Sequence, residues 1–205
     1  MNAFAKIDKE AFYRFVAGRR DGRYEYVRGR IVQQMTGGTR NHGLVARRFT
    51  DLILAQLDEA RWTVLPDRGV DTPRTIRYPE IVVEPADEPG DSLSTLRPVL
   101  IVEVLSPSTT AEDLDVKPEE YLSLKSLDAY IVASQDETAC LLWARGADGL
   151  FPAEPVEFEG IDAVIQIRGR WLALDLPLAS VYRGIAEPRP AANSKRQPRG
   201  RSKKR

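Results

Sequence analysis

The sequence predicts an α/β (α+β) fold, a mixed β-sheet flanked by helices, and three observations lead there. Short β-branched runs alternate with two stretches of helical periodicity. The run 99–105, VLIVEVL, is apolar on both faces, as a central strand covered from both sides would be. A helical stretch and then a series of further short β-runs follow it.

In chain order, residues 8–16 form an amphipathic helix with Phe12, Phe15 and Val16 on one side, closed by Gly18. Runs 23–27 and 30–35 make a hairpin turning at Arg28-Gly29, and Gly37-Gly38 breaks its second strand. Asn41 is the expected N-cap of a long helix to about residue 60, burying Leu44, Val45, Phe49, Leu52, Ile53 and Leu57. Strands are expected at 62–65, near Val70 and over 77–83, with a loop at 87–91 around Pro89-Gly90. Ser106-Pro107 ends the central strand, and Thr109 with Glu112 reads as a capping box for a helix to about residue 124. Further strands are expected at 129–133, 138–144, 156–158, 164–167 and 171–174, and a short helix at 178–182. There is no internal repeat.

These elements make one domain over 1–186, followed by a tail over 187–205. The tail holds eight Lys/Arg and one acid, a net of +7; the other 186 residues hold 22 basic and 29 acidic side chains, a net of −7. Being Pro-rich and nearly without apolar residues, the tail is expected to be disordered. Its Arg196, Arg199, Arg201, Lys203 and Lys204 suit nonspecific contact with nucleic-acid phosphates, although a merely solubilising tail has the same composition. No run approaches the roughly 18 apolar residues of a membrane helix, and charges interrupt the N-terminus where a signal peptide would be apolar. Cys140 is the single cysteine, set in an apolar run, so it reads as a buried structural thiol. A cytoplasmic protein is expected.

Glu103 interrupts the apolar strand, where an unpaired carboxylate is costly to bury; it needs a metal, a cation, a shifted pKa or a place near the strand's exposed end. Glu80 stands beside a second β-branched run, just after Pro79. Alone it reads as a turn-side surface acid; two strand-borne acids together suit a hard divalent cation. Lys117 has Asp113 at i−4, an ordinary helical ion pair, unless it reaches back to the strand end to stabilise a phosphorane. His42 is the only histidine, and without cysteine or histidine company it cannot build a zinc site. There is no GxSxG elbow, Walker loop or GxGxxG.

These pieces occur in a set order: Tyr24-Glu25-Tyr26-Val27 and Gly29; Met35-Thr36-Gly37-Gly38 and His42; Tyr78-Pro79-Glu80; Val102-Glu103-Val104-Leu105-Ser106-Pro107-Ser108-Thr109; then Asp113, Lys117, Tyr121 and Asp128. In that order and spacing, over roughly residues 10–185, the chain resembles the Uma-two family of bacterial restriction endonucleases within the PD-(D/E)xK nuclease superfamily.

The resemblance implies a restriction-endonuclease-like core and an endonuclease that hydrolyses phosphodiester bonds, in DNA, with Mg²⁺ or Mn²⁺. It implies Glu80, Glu103 and Lys117 as catalytic residues. Glu80, Glu103 and the main-chain carbonyl of Val104 would hold the metal, with Glu25, His42 and Asp113 as neighbours. Leu105 stands where the superfamily lysine is expected, and Lys117 on the next helix matches its substitute. A homodimer would give a duplex cutter one site per strand.

Four positions depart from the family pattern. Glu80 replaces the usual aspartate, and the ångström a methylene adds can cost around 100-fold in rate. Ala133 replaces a frequent aspartate, and Arg28 and Arg30 flank Gly29 where acids are usual, a change that would favour a phosphate backbone. The alternative is therefore a nuclease scaffold with weakened or lost catalysis, serving as a nucleic-acid-binding or regulatory module.

Overall fold

The computed structural model describes residues 6–34, 38–105 and 112–185, with the side chains of 112 and 113 left aside. Helix α1, Lys9–Val16, is capped by Asp8, whose carboxylate accepts from the Ala11 amide at 2.7 Å. Strands β1 (Arg23–Val27) and β2 (Arg30–Gln34) form the expected hairpin. Its turn holds Arg28 at φ 51° and Gly29 at φ 93°, the two positive dihedrals of a type I′ turn. Arginine in the left-handed region costs about 1 kcal/mol that glycine does not incur.

Helix α2, Arg40–Leu54, starts and stops earlier than the sequence suggests. Thr39, not Asn41, is its N-cap, accepting from the His42 amide, and its hydroxyl also donates to the buried Gln135. Val45, Phe49 and Ile53 are its fully buried residues, with Leu52 and Leu57 packed at the core margin.

The strands β3 (Trp62–Pro66), β4 (Gly69–Asp71), β5 (Thr75–Arg77), β6 (Ile81–Pro85), β7 (Ser94–Thr95) and β8 (Leu100–Val104) come next. The single strand expected over 77–83 is in fact two, belonging to different sheets. Tyr78-Pro79-Glu80 is the crossing between them, because Pro79 has no amide hydrogen to continue a ladder. The two-residue β7 carries no hydrophobic pattern that would have predicted it.

After β8 the expected continuous helix is a π-helical turn, Glu112–Val116, followed by α3, Lys117–Leu122. Pro118 lacks the amide hydrogen needed for an unbroken α-helical ladder at this junction. Thr109 of the capping box lies outside the described residues. The chain closes with β9 (Ala129–Ala133), β10 (Ala139–Ala144), β11 (Val156–Glu159), β12 (Val164–Arg168), β13 (Ala173–Pro177) and α4 (Leu178–Val181).

Two mixed sheets and a two-stranded ribbon result, where the sequence suggested one mixed sheet. The larger sheet runs β11-β10-β9-β8-β6-β3, the smaller β2-β1-β5-β4-β7, and β12 pairs with β13. All five residues of β8 are buried, as expected of a central strand. On one face Leu100, Val102 and Val104 join the core under α2; on the other Ile101 packs with Tyr121 of α3, Tyr130 and Trp143. β8 and β9 are parallel, so a crossover must connect them, and that crossover carries α3. Cys140 is buried as expected, and burial pushes its thiol up to about 12. No helix among the described residues is long and apolar enough to cross a membrane.

A buried ion network ties the smaller sheet to α3, which packs against the larger one. Arg77, 1% exposed, donates to Glu25 of β1 at 2.7 Å and to Glu120 of α3 at 2.9 Å. Burial works against its charge, but the hydrogen bonds and charges of Glu120 and Glu25 more than offset that and hold the proton above the ordinary arginine range. Removing one member of such a set strands the others. Arg77→Leu should therefore cost about 3–5 kcal/mol in urea unfolding. Arg23→Ala, which breaks the exposed ion pair with Asp67, should stay within about 1 kcal/mol. Equal losses in the two variants would contradict the claim that the buried network matters more to stability than an exposed ion pair.

Candidate active site

The register of the central ladder brings the two acids together. Antiparallel β6 and β8 pair Ile81 with Val102. One step further along the same register sets Glu80 opposite Glu103. Like charges facing each other across a ladder repel, more so where solvent is excluded. The two carboxyls nevertheless share a hydrogen bond, a contact that holds only with a proton or a cation between them.

Cationic and polar groups close on this pair from three elements. Lys117 donates from the first position of α3 to Oε1 of Glu103 at 2.7 Å, with both side chains almost wholly buried. The Tyr121 hydroxyl, one turn on, donates to the same oxygen at 3.1 Å. Burial and the charge of Glu103 raise the Tyr121 pKa well above the usual value, so its phenol stays a donor. Lys117, Glu120 and Tyr121 share the inner face of α3 through their i, i+3 and i+4 spacing. Lys117 thus engages the strand acid and not only a helical neighbour; the side chain of Asp113 lies outside the described residues.

His42, in the first turn of α2, reaches the same place. Its Nε2 lies 3.3 Å from Glu80 Oε1 and 3.2 Å from the Val104 carbonyl oxygen. A proton on Nε2 lets the ring donate to both. Gly38 is required beside it, since a Cβ there would sit 2.9 Å from His42 Nδ1. Glu80 also accepts from the Val104 amide at 3.3 Å. Burial alone would raise the Glu80 carboxyl; hydrogen bonds from Glu103 and His42 and the charge of Lys117 outweigh it and hold the group at about 2.

Of the residues singled out in the sequence, Glu80, Glu103, Lys117, His42 and the Val104 carbonyl therefore converge. Glu25 sits one link away: it is paired with Arg77 and also accepts from the Tyr78 amide at 3.4 Å, so it holds the segment that carries Glu80. The cations Arg196, Arg199, Arg201, Lys203 and Lys204 lie outside the described residues. Arg77, Glu120 and the hydroxyl of Tyr121 as a Glu103 partner went unrecognised. Only the periodicity of Lys117-Pro118-Glu119-Glu120-Tyr121 could have pointed to the last two.

Among the described residues no group of three or more His, Cys, Asp or Glu side chains forms a ready-made metal cage. Two carboxylates and one main-chain carbonyl are hard oxygen donors, in the number that magnesium takes alongside waters and a substrate phosphate. The shared contact between Glu80 and Glu103 is the feature such a cation fits.

A carboxyl lowered in the folded state adds stability that is full above its unfolded value of 4.5 and is lost as pH falls toward the folded value of about 2. In urea unfolding with EDTA, the wild type should lose stability more steeply between those pH values than Glu80→Gln. Parallel profiles would contradict the lowered pKa.

A protein of Synechocystis sp., described as uncharacterized, is 27% identical over 188 residues, covering 89% of this chain and 95% of its own length. A crystal structure from Anabaena variabilis ATCC 29413, described as "a putative nuclease belonging to DUF820", matches with a TM-score of 0.68. That match spans 86% of this chain and 97% of the other at 14% identity, so it establishes a shared fold. The model of the Uma2 family, described as "Putative restriction endonuclease", matches residues 10–175, which is 166 of the 205 residues, and the chain belongs to that family.

Proposed function

We propose that this protein is a divalent-metal-dependent endonuclease that hydrolyses phosphodiester bonds in DNA. Its centre would comprise Glu80, Glu103 and the Val104 carbonyl as ligands of Mg²⁺ or Mn²⁺, with Lys117 beside them. The observation that carries the reading is the facing of Glu80 and Glu103 across the β6–β8 ladder with Lys117 bonded to Glu103. Family membership and the shared fold support the same class.

A bound cation would supply Lewis-acid activation of water and neutralise charge on the scissile phosphate. The chain's own groups do the rest. Lys117 brings a positive charge to the edge of the carboxylate pair, where it stabilises charge building on phosphate oxygens. Tyr121 fixes the rotamer of Glu103, and His42 with the Val104 amide fixes Glu80, so the two acids are held before any ligand arrives. Cytoplasmic action suits the single buried thiol. Action as a homodimer would place one such centre on each strand of a duplex.

Nicking of supercoiled plasmid with Mg²⁺, with Mn²⁺ and with EDTA tests the reading. Cutting should need the metal and should fall by about 100-fold or more in each of Glu80→Gln, Glu103→Gln and Lys117→Gln, with folding checked by circular dichroism. Full activity in Glu103→Gln would remove this site assignment. A wild type that cuts no substrate with either metal would replace the nuclease by a nucleic-acid-binding module on the same scaffold.

A further inference from the structure

A second feature of the chain lies apart from the carboxylates, at the turn of the β1–β2 hairpin. Lys6, Arg28, Arg30 and Arg74 are all exposed there, and among the described residues none of them forms an ion pair. Arg14, Arg23, Arg97 and Arg168 each pair with a nearby acid. Arg20, Arg61, Arg170 and Arg183 are exposed and make no ion pair among the described residues, but they stand on separate segments. The gathering of several such cations at one turn sets this place apart. An open pocket of about 280 Å³ is lined by Lys6, Val27, Arg28 and Arg30, three cations and no carboxylate.

The main chain holds this cluster together. The Ile7 amide donates to the Gly29 carbonyl and the Arg28 amide to the Arg74 carbonyl, both at 2.9 Å, so three separate segments meet at fixed positions. The Lys6 side chain lies directly over Gly29, where a Cβ would approach to 2.8 Å. Arg28 stands in a left-handed conformation that asparagine or glycine adopts more easily. Residues 1–186 carry a net charge of −7, so general basicity does not account for the cluster. Four gathered cations without counterions repel one another, and a polyanion removes that repulsion.

We propose that Lys6, Arg28, Arg30 and Arg74 form a preorganised contact for the phosphate backbone of duplex DNA. The choice of DNA as the polyanion rests on the nuclease reading. Arg74 and Glu80 are six residues apart, at most about 20 Å of extended chain. Phosphates across duplex grooves about 6 and 12 Å wide can therefore meet both places at once. The cluster positions the duplex and leaves the reacting phosphate to the carboxylates.

The test is binding of the full chain to a labelled 20-base-pair duplex in EDTA, followed by anisotropy over a range of salt. Arg28→Asn/Arg30→Gln/Arg74→Gln keeps the turn, since Asn-Gly suits it, and should reduce the slope of log K against log salt by about 2–3, at roughly 0.9 per phosphate contact. Lys6→Gln/Arg30→Gln, which leaves the turn untouched, should reduce it by about 1.8. Arg20→Gln/Arg61→Gln/Arg183→Gln, the same charge change elsewhere, should move it by less than about 1. Metal-dependent hydrolysis of bis(p-nitrophenyl) phosphate should be unchanged in all three. Equal slopes in the hairpin and control variants, or no duplex binding by the wild type, would overturn the proposal. A flattened slope in a protein that hydrolyses no phosphodiester would uphold the contact and remove the nuclease reading. An unchanged slope in an active nuclease would do the reverse.

Discussion

Glu103 is the constraint around which the rest is arranged. It is 2% exposed, next to last in a strand whose every residue is buried, and a lone carboxylate there would face a desolvation penalty of several kcal/mol. The fold meets this with neighbours delivered by strand order. The parallel step from β8 to β9 demands a crossover, and the crossover sets Lys117 and Tyr121 on Glu103. The antiparallel step from β6 to β8 sets Glu80 across from it. One strand's two pairings thus assemble residues that lie far apart in the chain.

Helix α3 is the shared wall of two buried polar sets. Lys117 and Tyr121 face Glu103, while Glu120 between them faces Arg77, which also holds Glu25 in the smaller sheet. Glu25 in turn receives the Tyr78 amide two residues before Glu80. The smaller sheet is therefore tied mechanically to the segment that presents the first acid. Buried ion sets contribute little net stability compared with apolar packing of the same volume, but they tolerate few alternative geometries. On the proposed metal-site reading, that expense goes with holding two carboxylates within reach of one cation.

Much of the fold was legible where local chemistry determines it. The apolar side of residues 8–16 marked α1, Arg28-Gly29 turns the hairpin, and the apolar run on either side of Glu103 identified β8 as central. Errors arose where tertiary pairing decides. Residues 77–83 carry a continuous strand signal, yet Pro79 moves the chain from one sheet to the other within it. Thr39 outcompetes Asn41 as a cap because its hydroxyl also finds Gln135, 96 residues away. Of the site, Glu103 betrayed itself as an acid in an apolar strand, and the family resemblance supplied Glu80 and Lys117. The Arg77 network left no local trace, since its partners lie 52 and 43 residues away.

The central claim is that the Glu80–Glu103 contact is a divalent-cation site. Isothermal titration of Mn²⁺ into the full chain tests it most directly, with Glu103→Gln as the comparison. The account predicts saturable binding in the wild type that is abolished, or weakened at least tenfold, in the variant. Equal binding by both proteins, or none by the wild type, would contradict it.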